Sequence, residues 1–263
     1  LVKERTNFFV NDKFEKWDLY QDKKEFNNPV FLIGFPRSGT TLLDTIIRSH
    51  PKVEVIEEKP MLYEIIKKSK VLTNNNFLNL KKLSSKDIDV LRKIYFKKRL
   101  EYIKEEENDK IYIDKFPLNI IYVGEIIRIF PNAKFLFSLR NPYDCILSCF
   151  MQDFLLNDAM LNFIDLNDTA AFYNDIMKLW NQYLNLFKIK SHTIKYEDLV
   201  LNFDGTVKKV LDFLNIGWSD SVYKYQETAK KRVLISTPSY NQVIKPIYKQ
   251  AVNRWKRYED KMQ

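Results

Sequence analysis

Apolar and polar residues fall along this chain in blocks whose period changes repeatedly. Val30-Phe31-Leu32-Ile33 is a continuous apolar run ended by Gly34, the pattern of a strand buried on both faces. Leu42, Leu43, Ile46 and Ile47 then recur at helical spacing and predict a helix over Thr41–Ser49, stopped by His50-Pro51. Val53, Val55 and Ile56 predict a second short strand. Residues 60–107 read as mainly helical, with Ser84-Ser85 then Asp87 as a start signal. Ile111–Ile113 predicts a strand, Asn119–Phe130 a helix, Lys134–Leu139 a strand, and Asn141-Pro142 opens a helix that runs to Phe150. Beyond these, Thr169–Phe187 predicts a long amphipathic helix, Ser191–Tyr196 a strand, Phe203–Leu214 a helix closed by Gly217, and Ile247–Tyr258 a last helix. Strands alternating with helices imply βαβ units, hence an α/β chain with a mostly parallel sheet and helices on both faces. With no internal repeat and no low-complexity linker, residues 29–263 are expected to form one domain behind a polar lead-in, residues 1–28, holding a short helix or two.

Composition narrows the function classes. The 263 residues are 45% hydrophobic and 14% aromatic, enough for a packed core, which excludes a disordered or collagen-like chain. No apolar run approaches the roughly 18–20 residues of a membrane span, and no signal segment opens the chain. Its first residue is Leu1 and not Met, which reads as a piece of something longer. Cys145 and Cys149 are too few and too local for a disulfide framework or an all-cysteine zinc site, so a reducing compartment, the cytoplasm, is expected and no metal. The net charge of +9 is unevenly spread: Asn141–Met177 has no Lys or Arg but six aspartates, Asp144, Asp153, Asp158, Asp165, Asp168 and Asp175. The rest of the chain therefore carries +15. That surplus fits an anionic small molecule. No zinc-finger, RNP or basic-zipper pattern accompanies it, and nucleic acid is not expected as a partner. The aspartate run reads as a solvated helical surface.

Gly34-Phe35-Pro36-Arg37-Ser38-Gly39-Thr40-Thr41 stands between a strand and a helix start, where backbone N–H groups and the positive end of a helix dipole converge on an anion. The Gly34–Gly39 spacing equals that of the triphosphate P-loop, but Thr40 replaces its Lys and the cation comes earlier, as Arg37. Triphosphate hydrolysis loses most of its apparatus without that Lys. A second strand-to-helix unit, Phe135–Phe150 (FLFSLRNPYDCILSCF), places Arg140 after a strand and Ser148 one helix further on. Arg140 supplies a planar charged fork, Ser148 a hydroxyl, and Asn141-Pro142 starts a helix facing the same point.

The string PRSGTTLL at 36–43, after an apolar strand, resembles the 5′-phosphosulfate loop of sulfotransferases that use 3′-phosphoadenosine-5′-phosphosulfate (PAPS) and release the bisphosphate PAP. Tyr196-Glu197-Asp198-Leu199 is similar to that family's strand-end segment whose Tyr lies by the adenine. Ser236–Tyr258 resembles the C-terminal loop and helix of tetratricopeptide-associated bacterial sulfotransferases and, more distantly, of tyrosylprotein sulfotransferases. The likeness runs from Pro29 to Tyr258 and implies the sulfotransferase fold, a P-loop-type sheet. It implies PAPS as donor, with Pro36, Arg37, Ser38, Gly39, Thr40, Thr41 and Leu42 on the 5′-phosphosulfate. Arg140 and Ser148 take the positions of the 3′-phosphate site, Tyr196 that of the adenine neighbour, Ser239 that of a Ser in the lid, and Arg254 that of a phosphate-binding Lys. The acceptor would be a hydroxyl on a protein tyrosine, a carbohydrate, a lipid or a small molecule. Its identity and the oligomeric state are not legible.

Sulfuryl transfer requires a base for the acceptor proton and cations where charge builds on the leaving phosphate. His50 and His192 are the chain's only histidines and neither matches the family's catalytic position, so both are expected to be structural. The tyrosylprotein-type members carry a Glu eight residues after the His-Pro that ends the loop helix, which is Glu58 here. On residue chemistry alone, Glu57 and Glu58 could equally start the following helix. Lys115, just past the third strand, could be a solvated charge; the resemblance gives it contact with the sulfuryl group. The glycine-rich lid of the cytosolic enzymes is missing, since no Gly follows Gly217. Two rival readings stay open: P-loop kinase-like phosphoryl transfer, and a non-catalytic PAP-binding module.

Overall fold

The computed structural model describes residues 1–10, 17, 28–103, 105–107, 109–155, 157–232, 243–247 and 249–262. Five strands, β1 (Val30–Gly34), β2 (Val53–Glu57), β3 (Ile111–Lys115), β4 (Lys134–Leu139) and β5 (Lys190–Lys195), form one sheet in the order β2-β3-β1-β4-β5. Every pairing is parallel, with Val30 opposite Ile113 on one side and Lys134 on the other. All five residues of β1 are buried because the central strand is covered on both faces. Its side chains alternate between two cores. Phe31 and Ile33 join Phe135, Phe137, Trp180 and Tyr183 on one face, while Val30 and Leu32 join Leu43, Ile46, Leu136, Val207 and Leu211 on the other.

The first face is covered by α3 (Met61–Leu72), α4 (Ser85–Leu100), α5 (Val123–Ile129) and α7 (Leu166–Leu186). The start signal at Ser84 forms a capping box: Ser84 Oγ accepts from the Asp87 N–H at 3.2 Å and Asp87 Oδ2 from the Ser84 N–H at 2.9 Å. In α7, Asp165 accepts from the N–H groups of Asn167 and Asp168, and Tyr173, Ile176, Trp180 and Tyr183 repeat at helical spacing toward the core. A short N-terminal helix, α1 (Val2–Phe8), lies on α7 and ties into the domain through a buried Arg5–Glu125 ion pair. The second face carries α2 (Thr40–Ile47), α8 (Tyr196–Leu201), α9 (Phe203–Leu214) and α10 (Tyr225–Lys231). The remaining α-helix, α6 (Pro142–Phe150), follows β4.

Four expectations are corrected. Residues 249–251 and Arg254–Lys261 form 3-10 turns in place of one α-helix over Ile247–Tyr258, because Asn253 between them adopts φ 58°. The Asn119–Phe130 helix begins as a 3-10 turn over Pro117–Tyr122 before α5. Helix α9 is closed by Asn215 in the left-handed region, not by Gly217. Tyr196, expected to end a strand over Ser191–Tyr196, instead opens α8, so Tyr196-Glu197-Asp198-Leu199 follows directly on the end of β5. No helix among the described residues is long and apolar enough to cross a membrane.

Candidate active site

β1 lies between β3 and β4, so chain connections leave it in both directions and a crevice opens at the carboxyl ends of β1 and β4. The loop 34–39 fills its mouth. Gly34 is required by crowding: a Cβ there would lie 2.5 Å from the Ser138 carbonyl oxygen and 2.8 Å from Ser38 Oγ. Gly39, with φ 96°, is the N-cap of α2 and leaves space for the Tyr196 ring, whose Cδ2 would stand 2.6 Å from an added Cβ. The loop is held from β4 and α6. Ser138 Oγ donates to the Ser38 carbonyl at 2.9 Å, and the thiols of Cys145 and Cys149 both donate to the Pro36 carbonyl at 3.2 Å. The cysteines thus have a local function that their number alone did not suggest.

Arg37 Nε donates to Ser148 Oγ at 3.1 Å, joining the loop to α6. Arg140 follows β4, is buried, and donates through Nη1 to the Arg37 carbonyl and through Nη2 to the Ala251 carbonyl, with its guanidinium 4.7 Å from the Tyr196 ring centroid. Its Nε, like Ser38 Oγ, is buried without a partner among the described residues. A cavity of about 250 Å³ lies over these groups, lined by Arg37, Gly39, Thr40, Thr41, Leu42, Arg140, Ser148, Tyr196 and Arg254, all of the expected set. Lys245, Gln250 and Arg257 also line it and were not anticipated. Five cations and no carboxylate surround this space among the described residues, a field that favours a multiply charged anion. Pro36 and Ser38, expected on the ligand, do not line this cavity; their carbonyls are the points by which β4 and α6 hold the loop. Ser239 lies outside the described residues.

The C-terminal turns that complete this wall are anchored on α6. Asp144 Oδ2 accepts from the Asn253 N–H at 2.7 Å and Oδ1 from the Trp255 N–H at 2.9 Å, and Trp255 stacks on Tyr143 at 4.7 Å. Asp144 is therefore buried, and the aspartate run is not a uniformly solvated face.

Beside the loop, at the ends of β2 and β3, Lys115 is wholly buried and donates through Nζ to Glu58 Oε1 at 2.6 Å and to Glu57 Oε1 at 3.2 Å. The Glu58 N–H returns a bond to the Lys115 carbonyl at 2.7 Å. The solvated-charge reading of Lys115 is thereby excluded. Glu58 precedes α3 and is no part of it, which removes the helix-start reading for this residue. Six described non-glycine residues have positive φ; four are asparagines, which tolerate it, and the other two are Arg37 (67°) and Glu58 (49°). Strain of this kind persists only where surrounding contacts over-determine the backbone. His50 is structural: its Nδ1 accepts from the Lys52 N–H at 3.1 Å, so Nε2 donates to the Gly217 carbonyl at 3.0 Å. His192 stacks on Phe213, and burial pushes its imidazole below its ordinary value.

A sequence model described as the sulfotransferase family matches residues 29–220. The chain belongs to the sulfotransferase family. Relatives include an uncharacterized protein of Aquifex aeolicus, 29% identical over 88% of this chain and 31% of its own length, and a protein-tyrosine sulfotransferase of Drosophila melanogaster, 28% identical over 86% of this chain and 46% of its own. The chain thus spans less than half the length of these two relatives. Among solved structures, the sulfotransferase domain from the curacin biosynthetic pathway superposes with a TM-score of 0.58 at 18% identity, covering 90% of this chain and 99% of that one. That likeness shows the fold, the α/β sulfotransferase fold.

Proposed function

We propose that this sulfotransferase moves a sulfuryl group from PAPS to an acceptor hydroxyl, with Glu58 as general base and with Arg37 and Lys115 stabilising the charge that develops. The observation that carries the reading is the buried Lys115 ammonium, 2.6 Å from a partly exposed Glu58 carboxylate at the carboxyl edge of the sheet, next to a cation-lined cavity. Even a paired buried ammonium adds little to stability, so its place here is supported by function better than by stability.

The residues suit PAPS. Arg140 Nε, buried and partnerless among the described residues, stands ready for an added acceptor, and the cationic lining matches a bisphosphorylated nucleotide. Bound PAPS supplies the activated sulfuryl group. Arg37, Thr40, Thr41 and the first N–H groups of α2 would hold its 5′ end, as a helix N-terminus favours an anion. Arg140 and Ser148, joined by Arg254 and the newly seen Lys245 and Arg257, would hold the 3′-phosphate side, with Tyr196 beside the base. Ser239 stays in the proposal as a lid residue. We take residues 29–263 as one transferase domain.

Glu58 would accept the proton of the acceptor hydroxyl. The acceptor would reach it through a cleft of about 1060 Å³ whose lining includes Lys59 and Phe116, the chain neighbours of Glu58 and Lys115, together with Leu62, Ile66 and Tyr122. Protein-tyrosine sulfotransferases among the relatives support a hydroxyl-bearing acceptor. Calorimetric titration with PAP, ATP and adenosine 5′-phosphosulfate, with and without magnesium, tests the donor: PAP alone should bind tightly, without a magnesium requirement. Preference for Mg-ATP would replace this reading by phosphoryl transfer. Glu58→Gln should lower turnover about 100-fold or more and leave PAP affinity unchanged; a near-normal rate would remove Glu58 from the mechanism.

A further inference from the structure

Glu58 is the last member of a line of six charges that alternate in sign across four elements. Arg48 Nε donates to Asp44 Oδ1 at 2.5 Å on α2, and Asp44 Oδ2 lies 3.7 Å from Nη1 of Arg232, the residue that caps α10. Arg232 Nη2 pairs with Glu57 Oε2, Glu57 Oε1 accepts from Lys115 Nζ, and Lys115 Nζ donates to Glu58 Oε1. Asp44 and Lys115 are fully buried, and the side chains of Glu57 and Arg232 are 8% and 12% exposed. Charges this far out of water are stable only when each is balanced.

We propose that Arg232 is a positioning residue for the catalytic pair, an inference that rests on the function assigned above. Glu57 is shared. Arg232 holds one of its oxygens, and Lys115 makes a longer bond to the other, 3.2 Å, than it makes to Glu58, 2.6 Å. Remove the guanidinium and the buried Glu57 has Lys115 as its only ion-pair partner among the described residues. The ammonium is then drawn from Glu58 toward Glu57, and both the base and the cation leave their working positions. Neighbouring charges among the described residues offer no substitute. Lys59 directs its ammonium over the Tyr102 ring at 5.7 Å, and Asp114, next to Lys115 on β3, faces the opposite side of the sheet beside Tyr95.

The test compares the wild type with Arg232→Lys, Arg232→Gln, Glu57→Gln and the double variant Arg232→Gln/Glu57→Gln. Turnover is measured with PAPS and whichever of a tyrosine-containing peptide, a hexose and 4-nitrophenol the wild type sulfates fastest; PAP affinity and thermal unfolding are measured alongside. Arg232→Gln should lose at least about tenfold in kcat while PAP affinity changes less than about threefold. Removing the Glu57 charge as well should restore most of that loss, because Lys115 then has Glu58 alone to pair with, and Arg232→Lys should keep a substantial part of the rate. A residue that merely supports the fold would give losses that add in the double variant and no rescue. Unchanged kcat in folded Arg232→Gln, or a double variant no faster than the single one, overturns the inference and leaves the functional reading intact. Should Arg232→Gln not fold, loss of the rate in folded Glu57→Gln together with loss of the rate in Arg232→Lys would overturn it equally. A wild type that binds PAP but sulfates none of the three acceptors overturns the functional reading and this inference with it.

Discussion

Arg140 Nη1 donates to the main-chain carbonyl of Arg37 at 3.2 Å, so the arginines that follow β4 and β1 are fastened to each other across 103 positions of chain. The bond fixes the spacing of two cationic points before any ligand arrives, which is the kind of preorganisation that lowers the cost of binding a rigid bisphosphate. It also makes Arg140 structural and ligand-facing at once, since Nη2 holds the Ala251 carbonyl while Nε has no partner among the described residues. Arg140→Ala should therefore weaken PAP by roughly 2–5 kcal/mol and barely change adenosine 5′-phosphosulfate, which lacks the 3′-phosphate. Calorimetry with both nucleotides checks this, and equal losses would mean that the 3′-site lies elsewhere.

Gly39 is under two constraints that no other residue satisfies. Its φ of 96° costs an L-residue about 1–2 kcal/mol, and a methyl group there meets the Tyr196 ring, over which the Arg140 guanidinium already lies. Gly39→Ala should lower unfolding stability by at least that amount and displace Tyr196, weakening PAP about tenfold or more. Denaturant titration and nucleotide binding measured on the same preparation decide it; a variant with wild-type affinity would show that the Gly39–Tyr196 contact has no bearing on the site.

The strands were legible because a parallel sheet covered on both faces demands continuous apolar runs, and KFLFSL at 134–139 has no other simple use. Pattern fails at the C-terminal segment. Ile247, Ala251, Trp255 and Tyr258 fit helical spacing, yet Asn253 turns left-handed there and the N–H groups of Asn253 and Trp255 bind Asp144, more than a hundred positions away. A long-range bond of that kind leaves no local trace. The same blindness hid Arg232, which looks like a surface charge until the fold pairs it with Glu57, and the place of Glu57 between Arg232 and Lys115. Among the anticipated site residues, Arg37 and Glu58 carry backbone strain, which spacing alone could not reveal.

Asp144 holds the C-terminal turns by two charge-assisted bonds, and those turns carry Arg254 and Arg257 to the cavity wall. Asp144→Ala leaves both N–H groups without their acceptor at a cost of about 1–3 kcal/mol each. The segment should detach, with faster tryptic cleavage after Lys249, Arg254 and Arg257 and weaker PAP binding. Intact PAP affinity in this variant would mean that the arginines of the segment do not contribute to the nucleotide site.

Asp114 gives the fold a pH dependence separate from catalysis. It is buried on β3 against Tyr95, whose hydroxyl lies 3.3 Å from Oδ2, and desolvation raises its carboxyl to about 8. An unfolded Asp titrates near 3.9. Between those values the native state keeps a proton that the unfolded state has released, so stability must fall as pH rises. The contribution is complete below the unfolded value and is lost as pH climbs through about 8. Asp114→Asn preserves shape and hydrogen bonding but cannot ionise. The difference in unfolding free energy between variant and wild type should grow in favour of the variant from pH 5 to pH 8 by roughly 2–4 kcal/mol. Urea titrations at several pH values read it directly, and a difference that stays flat across that range would show that Asp114 ionises as readily in the folded chain as in the unfolded one.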